Sequence, residues 1–493
     1  MSRLTRIVCL AGVSASLAPA PVRAQDAPLS ALLVDLLIRS VVMPSTAENV
    51  PGNPHEAHFL PGFAQTAAPF ELNKALVTQL STFPIGSSSG GFTYTFDSRS
   101  RAFSRSSESF GPSFAERALT NGRRRFSAGV NVQRTVYEDF EGVDLRADNV
   151  DGIVFYLQHN DCCPGQNPTT GAPGGGGGPV NPAFEGDLIQ VALSLRAEST
   201  TTALFMTYGV TDRLDLGVTF PIVRVKLDAA TRSTIERLST SANPLIHSWD
   251  GRGATVKVDG ASGSATGLGD ILVRTKYNFW RTATGGVSAG VDLRLPTGDK
   301  DDLLGTGATQ VKVQFIASGG SARVQPHVNL GYTFSSGEVS AELNDLRPPA
   351  DLPGSVAFYQ NVYPPGFRPY EANLEVPDEV SWTLGAEWAA HPRLTIAGDI
   401  VGRSLRGVQR FTEAAQAFQY RTANDGPLLS TDRTAFDIDT IGRLNLALGV
   451  VSAKFNVPNT QLLITGSVLF PLTDAGLRPG ITPVIGIDYG FGR

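Results

Sequence analysis

From residue 92 to its end, long stretches of this chain alternate apolar and polar side chains. In residues 480–491, Ile481, Pro483, Ile485, Ile487, Tyr489 and Phe491 take every second position, with Thr482, Val484, Gly486 and Asp488 between them. A strand directs alternate side chains to opposite faces. One face of this segment is therefore greasy and ends in two aromatics, and the other is small or polar. The same period runs through Phe126–Gln133, Ile189–Arg196, Leu214–Phe220, Ile271–Phe279, Val287–Leu295, Val311–Phe315, Val324–Phe334, Val380–Trp388, Leu394–Ile400, Leu444–Leu448 and Leu462–Phe470. Phe92–Phe96 shares it, and Gly152–Leu157 reads as one further strand. Strands of about ten residues, repeated a dozen or more times, are the signature of a transmembrane barrel. The pattern predicts an all-β, antiparallel outer-membrane β-barrel of about 14 strands, within a range of roughly 12–16.

The connections test this independently. Barrels in outer membranes alternate short periplasmic turns with longer external loops. Counting back from a periplasmic C-terminus, Val457-Pro458-Asn459, His391-Pro392, Ser318-Gly319-Gly320, Thr282 to Gly285 and Thr211-Asp212-Arg213 are short. The connections alternating with them are external: 471–479, the long 404–440, 335–377 and 228–266, and 296–307 of intermediate length. A soluble sandwich has no reason to keep that order. The tally is less regular upstream. A strand beginning at Asp187 would put the glycine run Gly174–Gly178 on the periplasmic side, where long connections are unusual.

Before residue 86 the period changes. Residues 30–43 read as a helix wanting burial, with Ser30 as N-cap, Asp35 and Arg39 spaced i,i+4, and Pro44 after its end. Residues 69–80 read as a second, amphipathic helix. Arg3 and Arg6, the apolar run Ile7–Pro19 and Val22-Arg23-Ala24 form a secretory signal peptide over residues 1–24. The predicted organisation is a signal peptide (1–24), a helical plug or periplasmic arm (25–85) and a barrel (86–493) with long external loops at 228–266, 335–377 and 404–440.

Composition changes this picture little. The net charge of −5 becomes about −8 once a signal with three arginines and no acid is removed, which disfavours general nucleic-acid binding. No stretch after residue 24 is long and apolar enough for a transmembrane helix, a test that barrels escape. Of three cysteines, Cys9 leaves with the signal; the adjacent Cys162 and Cys163 leave a vicinal disulfide, loop thiols or an intermolecular bridge open.

The polar face carries the candidate chemistry. In a barrel, Arg196, Arg274, Lys276, Arg294, Lys312 and Arg323 would line the lumen, with Asp270 and Asp292 among them. A basic interior concentrates anions. The alternative is that these charges pair with Asp270, Asp292, Glu387 and Asp399 and fill a packed lumen. Trp280, Phe334, Trp382, Trp388, Tyr489 and Phe491 fit interfacial belts. Gly86-Ser87-Ser88-Ser89-Gly90 matches a nucleophile elbow, but a strand-like run follows where a helix is needed. His55 and His58 lie in a proline-rich linker, and Asp299, Asp301 and Asp302 in an external loop; solvated side chains are the simpler reading of both groups. No catalytic residue, cofactor or metal site is expected.

Tyr208-Gly209-Val210-Thr211-Asp212-Arg213-Leu214-Asp215-Leu216-Gly217-Val218, then Phe220-Pro221, resembles the outer-membrane transporter family of the MetA-pathway of phenol degradation. So do Gly267-Leu268-Gly269-Asp270 with Lys276-Tyr277, and Leu293-Arg294-Leu295-Pro296-Thr297-Gly298-Asp299. That family is similar in architecture to long-chain fatty acid transporters, whose barrels carry an N-terminal plug. The resemblance implies passive uptake of small hydrophobic or aromatic compounds, and the basic face extends the expectation to anionic ones. It covers residues 190–493 best, and it specifies turns and strand ends rather than a substrate. The rival is a structural or adhesive surface barrel with a closed lumen. Either way the expected partners are outer-membrane lipids and the barrel assembly machinery, for which Tyr489 and Phe491 would be the signal, and the expected state is a monomer.

Overall fold

Twelve antiparallel strands pair edge to edge and close on themselves. They are β1 (Phe126–Phe140), β2 (Leu188–Gly209), β3 (Leu214–Glu236), β4 (Ile271–Arg281), β5 (Gly286–Leu295), β6 (Ala308–Ser318), β7 (Val324–Gly337), β8 (Glu379–His391), β9 (Leu394–Tyr420), β10 (Leu429–Asn456), β11 (Leu462–Pro471) and β12 (Thr482–Phe491). Each pairs with the next, and β12 pairs with β1 from Val484↔Gln133 to Phe491↔Phe126, which removes both edges. This computed structural model describes residues 28–43, 59, 68–82, 84, 86–87, 91–97, 102–105, 107–147, 152–158, 186–240, 245, 247–339, 375–423 and 426–491. The expected signal peptide, His55, His58, Cys162, Cys163 and the glycine run lie outside these residues.

The count is twelve because two of the expected strands stay out of the wall. Tyr94–Asp97 pairs with Ala102–Arg105 in a separate hairpin. Ile153–Gln158 pairs only with Leu188–Leu193, at one end of β2. The upstream irregularity also resolves. Residues 188–209 form one continuous strand, so the segment before it departs from the rim opposite the Thr211–Arg213 turn. Short turns mark the periplasmic rim of membrane barrels and long connections the external one.

The outer face is an apolar belt. Val132, Leu204, Leu216, Val273, Val291, Val313, Leu330, Leu384, Ile396, Val451, Ile464 and Ile485, one from each strand, are all exposed. In water a surface of this kind would be a liability; against lipid tails it is the stable one. The eleven residues of β4, at ~3.3 Å each and a tilt near 40°, give a wall roughly 28 Å high, matching a hydrocarbon core. Tyr208, Trp280, Trp388, Tyr489 and Phe491 are exposed at the periplasmic edge, with Tyr489 and Phe491 ring centroids 4.6 Å apart. Phe334 is exposed near the other edge.

Four strands overshoot the belt. β9 and β10, of 27 and 28 residues, pair as far as Tyr420↔Leu429. The segment 404–440, expected as a loop, is thus mostly hairpin. Likewise much of 228–266 is strand: β3 runs on to Glu236, and Val256–Leu268 pairs back onto Ile222–Thr234.

The projecting wall encloses the apolar core. The chain enters it as a short 3-10 turn (Leu29–Ala31) and helix α1 (Leu32–Val41), which is buried on nearly every side through Leu33, Val34, Leu36, Leu37, Ile38 and Val41. Ser30 is not the N-cap. Ala31 holds that position without a side-chain cap, and the Ser30 amide instead donates to the Asp301 carbonyl at 2.9 Å. Helix α2 (Ala68–Ser81) bridges α1 and the last external connection. Asn73 Nδ2 donates to the Ser30 carbonyl at 3.1 Å, and the Leu477 amide donates to Gln79 Oε1 at 2.8 Å. Both helices therefore pack within the external half of the barrel. Phe140, Phe411 and Phe436 meet them from the wall, the last two stacked with centroids 5.2 Å apart, and Phe155 from the strand beside it.

Candidate solute path through the barrel

A second segment, which carries no period of its own, fills the periplasmic half. Residues 107–122 cross the lumen as an irregular strap, and inward polar side chains of the wall bind its backbone. Thr395 Oγ1 accepts from the Phe110 amide at 2.9 Å, and Asp399 Oδ2 from Phe114 at 3.0 Å. Asn329 Oδ1 accepts from Glu116 at 2.6 Å, Ser318 Oγ from Ala118 at 3.0 Å, and Asp215 Oδ2 from Asn121 at 2.9 Å. Strap carbonyls receive Lys454 Nζ at Pro112 (2.6 Å), Lys276 Nζ at Arg117 (3.0 Å) and Ser288 Oγ at Ala118 (2.6 Å). A strap without secondary structure can be buried only if each backbone group finds such a partner. Its centre is Arg117, fully buried, whose Nη2 lies 2.9 Å from both oxygens of Glu387 on β8; His327 Nε2 is 3.0 Å from the same carboxylate.

The anticipated lumen residues separate into groups. Arg274 Nε pairs with Asp292 Oδ1 at 2.8 Å and its Nη1 with Glu116 of the strap. Lys276 lies 3.8 Å from Glu116 and 4.0 Å from Asp215. Arg274, Lys276 and Asp292 therefore hold the strap. Asp270 faces the external end, where it accepts from the amides of Gly298 (3.1 Å) and Thr306 (2.8 Å) and shapes the 296–307 loop. That loop does not gather its acids around a cation. Asp299 Oδ1 accepts from the Asp301 amide at 2.9 Å, and Asp302 Oδ1 from the Leu29 amide at 3.3 Å, tying the plug to the rim. Among the described residues no cluster of three or more potential metal ligands occurs.

Two expected lumen residues are corrected. Arg196 points outward, its side chain 56% exposed and paired with Glu198 at 2.7 Å, while Leu195 and Ala197 point in. It stands above the belt, where the interior is apolar and the outer surface meets water, so the polarity of the two faces is reversed. Arg323 precedes β7 in a periplasmic turn, 77% exposed, with Glu108 3.6 Å away.

Arg294 and Lys312 border a cavity of about 150 Å3. Its floor is the strap at Phe114 and Glu116, its roof the end of α2 at Thr82, and Arg403, Val401 and Glu379 complete the β8–β9 side. Arg403 Nε pairs with Glu379 at 2.8 Å. Higher up, a polar cleft of about 680 Å3 lies between α2 (Glu71, Lys74, Thr78) and the wall at Tyr332, Asp378 and Arg406. The cleft's Asp378 and Arg406 are close in sequence to Glu379 and Arg403 of the cavity, so both spaces adjoin the β8–β9 side of the wall.

Above the membrane, Asp187 fastens the external connection after β3. It accepts from the amides of Leu238 (2.8 Å), Ser239 (2.7 Å) and Thr240 (3.2 Å) and from His247 Nδ1. Burial would raise the carboxyl's pKa, yet the hydrogen bonds and charge of His247 hold it below its usual value.

Fold and lumen together define a membrane-spanning β-barrel with a two-part internal plug. Residues 170–373 match the family described as "Putative MetA-pathway of phenol degradation", the family that the turn and strand-end motifs resemble. Among solved structures, the chain is similar to the COG4313 outer membrane channel from Pseudomonas putida F1: 12% identity, 76% of this chain and 98% of that one, TM-score 0.37. It is more distantly similar to the Ralstonia pickettii toluene transporter TbuX, at 10% identity, 76% and 91% coverage and TM-score 0.25. A Pseudomonas aeruginosa FadL homologue stands at 8% identity, 76% and 91% coverage and TM-score 0.28. No curated protein matches the chain.

Proposed function

We infer that this protein is an outer-membrane channel for passive uptake of small hydrophobic or aromatic compounds. The observation that carries the reading is the series of spaces in the lumen: an external cleft, then a cavity large enough for a single ring, closed below by a strap. An apolar cavity of about 150 Å3 accommodates benzene in another protein, which sets the scale. A solute would be captured among the external loops, descend beside α2 into the cavity and leave when the strap shifts. The match to the phenol-degradation family, and the toluene that TbuX is named for, agree with this class of solute. One chain closes the whole barrel, so a monomer suffices, and Tyr489 and Phe491 serve as its assembly signal.

The fully buried Arg117–Glu387 pair supports a second reading, a structural barrel whose lumen never opens. Proteoliposome uptake of small aromatic solutes, run beside planar-bilayer conductance, separates the two. The channel reading expects little steady ion current, because strap and plug fill the lumen, but uptake at least tenfold above protein-free liposomes. Folded protein that gives neither current nor uptake would establish the closed barrel.

A further inference from the structure

We propose that the lumen cavity is a binding site for single-ring carboxylates, with Lys312 the residue that recognises the charge. The inference deepens the channel reading and rests on it for the route by which the ligand arrives. Four cations (Arg274, Arg294, Lys312, Arg403) and three carboxylates (Glu116, Asp292, Glu379) line the cavity. Arg274 is taken by Asp292 and Glu116, and Arg403 by Glu379. Lys312 has no hydrogen bond or ion pair among the described residues, although Asp292 and Glu379 are close enough to act on it electrostatically. Lys312 is a half-buried cation left over by its neighbours' pairing, and an anionic ligand would complete it.

The room for that ligand is built in. The lysine's Cε lies over Gly331 on β7, where a Cβ would come within 2.6 Å of it. Any larger residue would displace the ammonium. The remainder of the wall is not basic: Pro84, Phe114 and Val401 also line the cavity. A basic side and an apolar side in a space for one ring select a flat apolar body carrying one carboxylate. A free inorganic anion would use only half of the site.

The test is equilibrium binding of benzoate, and of benzyl alcohol as a neutral ring of similar size, to the full mature protein in detergent, by calorimetry. Wild-type protein is expected to bind benzoate at least tenfold more tightly than benzyl alcohol. Lys312→Gln should abolish that preference while leaving benzyl alcohol binding unchanged, and Lys312→Arg should restore most of it. Gly331→Ala keeps every charge and needs only the flexible end of the lysine to move, so it should fold and still weaken benzoate. Benzoate binding that survives Lys312→Gln overturns the proposal, as does equal displacement by chloride, which would mark a site for any small anion. Because binding is read without transport, a barrel that binds benzoate but passes no solute would defeat the channel reading and leave the site standing.

Discussion

Glu387 shows what a single residue does in this lumen. Its carboxylate is buried and is shared by Arg117 of the strap and His327 of the wall. Removing one member of a buried ion pair typically costs ~3–5 kcal/mol, because the other is stranded, whereas replacing both with apolar residues is often neutral. Glu387→Gln should therefore loosen the strap without unfolding the barrel, and ion conductance should rise at least tenfold over wild type. The double variant Arg117→Met with Glu387→Met should return towards the closed state. Equal conductance in all three would mean the strap is held elsewhere. At this scale the sequence is legible in part. Alternation identifies which residues share a face, and it placed Arg274, Lys276 and Asp292 inward. It does not say which face is inside once the barrel leaves the membrane, and Arg196 was misplaced for that reason.

At the scale of elements, legibility followed periodicity. Both helices and all twelve wall strands carry a strong period and were found, as were the five short turns. The strap has none: Ser107 to Asn121 mixes serine, glycine, proline and single charges, and its conformation is set by wall side chains up to 342 residues away in sequence. Its one signal was indirect, since so many inward polar groups on the wall demand partners. The helical plug is held differently, by area. Leu37 is fully buried in α1, and its truncation to alanine should cost ~2–5 kcal/mol. At about 1.4 kcal/mol per factor of ten, amide exchange in residues 28–43 should then accelerate roughly thirtyfold or more, with the wall strands unchanged. Acceleration spread evenly over plug and wall would show that the two unfold as one unit and that the plug is not separable.

For the whole molecule the decisive feature is the line at which the barrel turns inside out. On β1 the outward residues pass from Val132 to Arg134, on β2 from Leu204 to Glu198 and Arg196, and on β3 from Ile222 to Arg224 and Lys226. The register sets Val132 and Ile222 opposite Thr202, and Arg134 and Arg224 opposite Thr200. Three neighbouring strands thus change polarity at one level. Above it the outward charges pair with one another, as Arg134 and Glu198 do at 2.9 Å, and the inward faces become Leu193, Leu195, Val225 and Leu227 against α1. Hydrophobic burial is met twice in one continuous sheet, by lipid outside below the line and by helix inside above it. If that line is the external membrane boundary, single cysteines at Thr200 and Arg224 should react in intact cells with a membrane-impermeant maleimide. Cysteines at Ile222 and Leu204, two and four residue pairs lower, should react at least tenfold more slowly and become accessible in detergent-free unfolded protein. Equal labelling on both sides would place the boundary higher, within the β9–β10 hairpin. That hairpin would then lie in lipid, a position opposed by its outward Arg443 and by its Arg410, which pairs with Glu141 just after β1.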